Sequence, residues 1–233
     1  MNKEELRKKL SSLGFDIDDQ KMENIEDIIS KTLETNEKFN LTAIKDEESF
    51  REKMVYDSAL GIVGLDLKDK KCIDVGTGAG FPGMIIYLLN PETKMTLLDS
   101  TAKKINYLKE YSKSRNYKLD FVTGRAEEYA ISHREIYDYA FARAVSSLNI
   151  LLEIIIPMIK VNGYFIALKG ANADLEIKES KNAIKKMGCE ITEIKPYSLP
   201  ESKEERNILI IKKIEKTNKK YPRMYSEIKK SPL

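Results

Sequence analysis

The chain has 233 residues, of which 42% are hydrophobic, and a formal net charge of +3. This length suits one domain with an extension or two small ones, and the apolar content can fill a sizeable core. No apolar run approaches the roughly 18 residues that span a bilayer, and the N-terminus lacks the apolar stretch of a signal peptide. We therefore expect a soluble cytoplasmic protein without a membrane partner. Its two cysteines, Cys72 and Cys189, are expected to be small buried hydrophobes.

The first third of the chain has apolar residues at helical spacing, as in Met22, Ile25 and Ile29. Gly14 marks the end of one helix, and Asp46 is a candidate cap for a later one. We expect residues 1–66 to form an N-terminal helical subdomain.

From Lys71 onward, short β-branched or aliphatic runs alternate with helical stretches, which is typical of βαβ units and a parallel sheet. The predicted fold class is therefore α/β, a doubly wound Rossmann-like sheet over residues 67–213. The break at Pro196–Pro200 leaves no room for a crossover helix, so the last two strands are expected to form an antiparallel hairpin. The predicted strands are Cys72–Val75, Met95–Leu98, Leu119–Val122, Tyr139–Arg143, Gly163–Leu168, Glu190–Ile194 and Ile208–Ile211.

The end of the chain is strongly basic, with eight Lys or Arg against two Glu between Lys212 and Leu233. We treat residues 214–233 as a basic C-terminal tail. Such a run is either a solvated, frayed end or a set of phosphate contacts. In the second case its mobile lysines would bind RNA without touching a cofactor.

The most informative motif is Asp74-Val75-Gly76-Thr77-Gly78-Ala79-Gly80-Phe81-Pro82-Gly83, directly after the first predicted strand. Glycines at this position let the backbone approach a ligand beyond the carboxyl end of the strand. The loop also satisfies the dinucleotide pattern G-x-G-x-x-G, so NAD has to be considered. However, a carboxylate at Asp74 would repel a pyrophosphate, whereas the sulfonium and ammonium of S-adenosylmethionine would be stabilised by it. We therefore expect S-adenosylmethionine as the cofactor.

Further polar residues follow the next strands at the same sheet edge. Asp99 and Ser100 end the second strand, where a carboxylate can accept both ribose hydroxyls. Taken alone, Asp99 could be a helix cap, but its position beside the glycine loop favours the ribose. The loop Gly124–Glu127 could bind adenine. Arg143 ends the fourth strand, and Lys169 ends the fifth; we expect a functional partner for Arg143 and regard Lys169 as a weaker candidate.

The absence of two motifs argues against two kinds of nucleobase methylation. The Asn/Asp-Pro-Pro-aromatic motif of exocyclic-amine methylases is replaced by Ala142-Arg143-Ala144, and neither cysteine lies where a cytosine-C5 nucleophile would be needed. His133, the only histidine, lies in a polar stretch without ligand-like neighbours, so no metal is expected.

These residues together resemble the bacterial guanine-N7 methyltransferases of 16S ribosomal RNA, also known as glucose-inhibited division protein B. The resemblance covers nearly the whole chain. It is carried by Phe39–Ile44, Asp57-Ser58, Asp74–Gly83, Leu97–Ser100, Arg125–Glu127, Arg143-Ala144, Leu168–Gly170 and Tyr221-Pro222-Arg223.

The resemblance implies a seven-stranded methyltransferase fold and transfer of a methyl group from S-adenosylmethionine to N7 of one guanine, in 16S RNA or a small-subunit assembly particle. It implies cofactor contacts at Gly76, Phe81, Asp99, Ala126, Glu127 and Arg143. We add Asp74, Gly78 and Ser100 as cofactor candidates, and Arg143, Lys169 and Arg223 as RNA candidates. Guanine N7 has no proton to remove, so no catalytic base is assigned.

The chain departs from the family pattern at three places. The family usually has His where Met54 stands, Ser where Ala142 stands, and Gly-x-Pro where the tail reads Met224–Glu227. Two alternatives stay open: a methyltransferase of another RNA site or of a small molecule, and an inactive RNA-binding assembly protein that keeps the fold.

Overall fold

The first three helices of the computed structural model, which describes residues 1–233, begin at capping side chains. Asn2 and Glu5 form a reciprocal capping box at the first helix, and Asp18 and Asp46 accept backbone N–H groups at the next two. The helices are α1 (Lys3–Ser12), α2 (Asp19–Asn36), α3 (Glu47–Phe50), a π-helical segment (Arg51–Tyr56), α4 (Asp57–Leu60), α5 (Gly83–Leu89), α6 (Ala102–Ser114), α7 (Ala126–Ser132), α8 (Leu148–Ile155), a 3₁₀ turn (Ile156–Met158), α9 (Ala173–Glu179), α10 (Lys181–Met187) and α11 (Tyr225–Lys230).

Seven strands form one sheet in the order β3-β2-β1-β4-β5-β7-β6. The first five are parallel, and β7 pairs antiparallel with both β5 and β6. The predicted α/β class and the C-terminal hairpin are thus confirmed. The strands are β1 (Lys71–Val75), β2 (Lys94–Asp99), β3 (Leu119–Thr123), β4 (Tyr137–Arg143), β5 (Ile159–Gly170), β6 (Cys189–Ser198) and β7 (Glu205–Lys213).

The expected break at Pro196–Pro200 is wrong in its position. Strand β6 continues through Pro196 to Ser198, and the connection to β7 begins only at Leu199. Proline is tolerated there because β6 is an edge strand. On its outer side no neighbouring strand accepts hydrogen bonds, so a residue without a backbone N–H loses nothing.

Helices cover both faces of the sheet, and side chains alternate between the two faces along each strand. In β5, Ile166 and Leu168 belong to the core shared with α1, α2, α5 and α6, whereas Phe165 and Ala167 face α8 and α10. The N-terminal helices therefore form a layer on the sheet. The domain divisions expected at residues 66 and 213 stay a prediction.

The C-terminal tail packs against the core and is not a frayed end, although most of its lysines are exposed. Tyr221 and Ile228 are buried in the core beneath α8. Arg134 donates hydrogen bonds to the carbonyls of Thr217 and Tyr221. No helix is long and apolar enough to span a membrane.

The strand order reverses between β1 and β4, since the chain moves outward from β1 to β3 and then returns to the other side of β1. In doubly wound sheets the loops at the carboxyl ends of the strands separate at such a point and leave a crevice for ligands. The glycine loop after β1 lies at this crevice.

Candidate cofactor and substrate sites

The glycine loop turns sharply between β1 and α5. The amides of Gly76 and Thr77 donate to the carbonyl of Leu98 at 2.8 and 3.0 Å, which ties the loop to β2. Gly76 has φ +73°, and a Cβ atom there would lie 2.6 Å from Cγ2 of Val145. Glycine is therefore favoured at this position, where the loop meets the segment after β4.

Asp74 is fully buried at the end of β1 and holds the loop together. Its Oδ2 atom accepts hydrogen bonds from Thr77 Oγ1 at 2.6 Å and from the Gly83 amide at 2.8 Å. Its Oδ1 atom is buried without a hydrogen-bond partner. Burial raises the pKa of Asp74 from 3.8 to about 6, against the opposing effect of these hydrogen bonds. An unpaired buried carboxylate oxygen fits a cofactor that carries an ammonium and a sulfonium.

Asp99 at the end of β2 connects the glycine loop to the next loop. Its Oδ2 accepts from the Gly78 amide at 2.9 Å, and its Oδ1 accepts from the Thr101 amide at 2.8 Å. Each oxygen retains a lone pair, and the residue lines a cavity, so the carboxylate can also accept ribose hydroxyls.

This first cavity, the cofactor cavity, has a volume of about 310 Å³ and lies beyond the ends of β1, β2 and β3. Five of the predicted cofactor residues line it: Gly76, Asp99, Ser100, Ala126 and Glu127. The sequence reasoning missed the other walls. These are Val145 and Ser146 after β4, Ile150, Leu151 and Ile154 of α8, Lys104 of α6, and Tyr225 of α11.

Three expected cofactor residues do not line this cavity. Asp74 is fully buried beneath the loop, whereas Gly78 is partly exposed and a Cβ atom there would come no closer than 3.9 Å to another residue. The Phe81 ring packs edge-on against Phe50, with centroids 5.0 Å apart, and is buried in the core of the N-terminal helices. The structure thus places the side chain of Phe81 in the core, because its ring points away from the loop's ligand side.

The cavity wall formed by the loop after β3 is charged and aromatic. Glu127 is nearly buried and accepts a hydrogen bond from Arg125 Nε at 2.8 Å. The Arg125 guanidinium lies 3.9 Å from the ring centroid of Tyr225. The tail therefore reaches the cofactor cavity through Tyr225.

Arg223 is bound to the core of the protein. Its guanidinium donates to both carboxylate oxygens of the fully buried Glu153 at 2.7 and 2.6 Å, and its amide also donates to Glu153. This geometry gives Arg223 an anchoring role for the tail. The expected contact of Arg223 with RNA stays a prediction.

A second cavity, the substrate cavity, has a volume of about 570 Å³ and lies beyond the ends of β4 and β5. Arg143 and Lys169 both line it. Arg143 does not line the cofactor cavity, because its guanidinium turns to the helical side and donates to the Lys53 carbonyl at 2.8 Å. The substrate cavity is lined by Ile44, Lys53, Met54, Asp57, Arg143, Ala144, Val145, Ser146, Leu168, Lys169, Gly170, Glu176 and Arg206.

The π-helical segment presents one wall of the substrate cavity. Lys53 and Met54 lie within it and Asp57 directly follows it, so two lining residues belong to the wider turn and a third comes just after it. π-Turns inside helices are frequent at functional sites. The Met54 sulfur lies 3.0 Å from Arg143, at the position where the family usually has His.

Each carboxylate of the substrate cavity has a cationic partner. Arg143 lies 3.3 Å from Asp57, which also accepts a hydrogen bond from Tyr197 Oη. Burial raises the pKa of Tyr197, so the phenol stays protonated and donates to Asp57. Lys169 lies 2.6 Å from Glu176 and donates to the Ser146 carbonyl at 2.7 Å.

The two cavities share one wall, formed by Ala144, Val145 and Ser146. Ala144 has φ +53°, a left-handed backbone conformation that residues other than glycine rarely adopt. Backbone of this kind is frequent at ligand sites, where the surrounding structure holds it in place. Within the molecule, no group of three or more His, Cys, Asp or Glu side chains is placed to hold a metal ion.

Solved structures share the fold of the chain. A SAM-dependent methyltransferase from Aquifex aeolicus matches with a TM-score of 0.53 and 16% identity over 70% of this chain and 92% of that one. M. jannaschii TYW2 in complex with AdoMet matches with a TM-score of 0.55 and 10% identity over 68% of this chain and 75% of that one. At these identities the similarity establishes the fold alone.

Relatives with assigned names are similar over nearly the whole chain. The protein of Alkaliphilus metalliredigens named ribosomal RNA small subunit methyltransferase G is 45% identical over 95% of this chain and 94% of its own length. The protein of the same name from Halalkalibacterium halodurans is 38% identical over 98% of both chains. The family profile GidB, described as rRNA small subunit methyltransferase G, matches residues 21–209. The chain therefore belongs to the rRNA small subunit methyltransferase G family.

Proposed function

We propose that this enzyme methylates N7 of a guanine in 16S ribosomal RNA, either in free RNA or in a small-subunit assembly particle. The observation that supports this most is the pair of adjoining cavities with the Ala144–Ser146 segment as their common wall. A cofactor in one cavity and an RNA base in the other would meet at this segment. A substrate of this kind places the enzyme in the cytoplasm, where bacterial ribosomes are assembled.

The cofactor cavity would hold S-adenosylmethionine through groups from three loops. Asp99 and Ser100 would hold the ribose, Ala126 and Glu127 would border the adenine, and the backbone at Gly76 would face the amino-acid part. Asp74 lies behind the loop, and its negative charge would stabilise the ammonium or sulfonium from there. When bound, the cofactor supplies an electrophilic methyl group on a sulfonium.

The substrate cavity favours an acceptor that has no proton to lose. Its carboxylates, Asp57 and Glu176, are both engaged by cations, so neither is a free general base. Guanine N7 has an in-plane lone pair and needs no general base. The residues around the cavity then contribute by positioning the guanine.

The charges of the substrate cavity favour RNA over an uncharged small molecule. Lys53, Arg143, Lys169 and Arg206 line it. They pair with three carboxylates, those of Asp57, Glu176 and Glu204, which leaves an excess of one positive charge. Such an excess attracts phosphates and makes affinity fall as salt rises. We propose that Arg143 and Lys169 contact the RNA.

The test is transfer of labelled methyl from S-adenosylmethionine to total RNA and to isolated small subunits, followed by digestion and identification of the nucleoside. We expect label in 7-methylguanosine of 16S RNA. RNA transcribed with 7-deazaguanosine, which lacks N7, should accept no methyl group. Label in another nucleoside, or only in small molecules, would refute the proposal, and binding of RNA without any transfer would favour the inactive assembly protein.

A further inference from the structure

We infer that Tyr225 forms part of the adenine end of the cofactor site, so that the C-terminal segment completes the pocket for the purine. This inference rests on the proposed assignment of the 310 Å³ cavity to S-adenosylmethionine. It assigns a ligand contact to a residue in the part of the tail that departs from the family pattern.

The position of Tyr225 within the cavity identifies the part of the ligand that it would contact. Asp99 ends β2, and the loop Gly124–Glu127 follows β3, the next strand outward. With the ribose at Asp99, the base extends toward the β3 loop. Tyr225 lines the cavity at this end, since the guanidinium of Arg125 lies against its ring.

The surroundings of Tyr225 suit a flat, weakly polar ring. Ile150 and Ile154 of α8 supply aliphatic surface to the same cavity, and Tyr225 supplies an aromatic face. On its other side, Tyr225 borders a separate groove that contains Lys220 and Arg223 together with Glu128 and Glu227. The tyrosine side chain therefore lies between the cofactor cavity and this groove.

The tail is fixed firmly enough for Tyr225 to act as a wall. Arg223, two residues earlier, pairs with the fully buried Glu153, and Ile228, three residues later, is buried in the core. Glu153 belongs to α8, the helix that also lines the cavity with Ile150 and Ile154. One helix thus holds both the aliphatic wall and the segment that carries Tyr225.

The chain has no tryptophan, so a single tryptophan can report on this position. We would measure fluorescence of the Tyr225→Trp variant during titration with S-adenosylhomocysteine, with 5′-methylthioadenosine and with methionine. We expect saturable quenching by the two adenosine-containing ligands and none by methionine. The matched control is Met224→Trp, because Met224 is 64% exposed and does not line the cavity; its fluorescence should not change.

Calorimetry supplies a second measurement that does not depend on a tryptophan. Tyr225→Ala should weaken binding of S-adenosylhomocysteine and of 5′-methylthioadenosine by the same factor, about fivefold, from the loss of the aromatic contact. Tyr225→Phe and the exposed α11 variant Lys229→Ala should bind like the wild type. If thermal unfolding shows that Tyr225→Ala does not fold, Tyr225→Leu takes its place.

The outcomes separate this inference from the proposed function. If the wild type binds S-adenosylhomocysteine but Tyr225→Ala binds both ligands within twofold of the wild type, the inference is wrong and the cofactor assignment stands. An unresponsive tryptophan at position 225 would lead to the same conclusion. If the wild type binds neither ligand, the cofactor assignment itself fails.

Discussion

Replacing Asp74 with Asn should stabilise the fold at neutral pH and weaken cofactor binding at the same time. An asparagine amide oxygen can take the place of Oδ2 and keep the hydrogen bonds from Thr77 and Gly83. The amide nitrogen would then occupy the position of Oδ1, which has no partner. The variant therefore keeps the loop's hydrogen bonds and removes one buried charge.

The size of the effect on stability follows from the pKa of Asp74. Burial raises it to about 6 from 3.8, so the folded chain binds this proton more tightly than the unfolded chain. The favourable contribution of protonated Asp74 is complete below the unfolded pKa and is lost as pH rises through about 6. Ionised Asp74 then costs about 3 kcal/mol at pH 8, and the difference between variant and wild type should grow by about 1.4 kcal/mol between pH 5 and pH 8.

Urea unfolding followed by circular dichroism at pH 5, 6, 7 and 8 measures this difference. Calorimetry with S-adenosylmethionine at pH 8 measures the second effect, which should be a loss of about tenfold or more in affinity if Asp74 holds a cationic group of the ligand. A stability difference that does not change with pH would show that Asp74 is not the titrating group. Normal cofactor affinity in the variant would show that its charge does not face the ligand.

Three further perturbations test the sites. Asp99→Ala should weaken S-adenosylmethionine binding by about 1–3 kcal/mol in calorimetry, because the ribose and the Gly78 amide lose a charged acceptor; unchanged affinity would contradict the assignment. Gly76→Ala should lower both melting temperature and cofactor affinity, since its φ of +73° is strained for alanine, and a second change, Val145→Ala, should recover only the part that comes from the 2.6 Å contact. Arg223→Ala should destabilise the fold by about 3–5 kcal/mol in urea unfolding, because it leaves Glu153 buried and unpaired. A variant that keeps its stability and loses only RNA affinity would restore the RNA role expected for Arg223.

The fold was predictable because its signals are local. Alternation of apolar runs with helical spacing predicted all seven strands, and the ends of the strands predicted which loops would meet. The error at Pro196 arose because proline was read as a break, although an edge strand accommodates it. Sequence pattern does not show which strand will lie at the edge.

The candidate sites were predictable only where a residue lies at the end of a strand or shortly after it. Asp99, Ala126 and Lys169 were found in this way, and each lines a cavity. The apolar wall from α8 was missed because Ile150 and Ile154 have the same helical spacing as core residues. Tyr225 was missed because its place depends on the distant pair between Arg223 and Glu153, and nothing in the local sequence indicates that pair.

The hairpin of β6 and β7 has a consequence for how the enzyme matures during synthesis. Its tip carries Glu204, which pairs with Lys53 of the π-helical segment across 151 residues of sequence, and Arg206, which lines the substrate cavity. Since β7 also lies between β5 and β6, the sheet is incomplete until this hairpin has been translated. The N-terminal helices are synthesised first, but the substrate cavity that they line is complete only after the last strands have been synthesised. A chain that ends before this hairpin therefore lacks Glu204 and Arg206, and with them part of the substrate cavity.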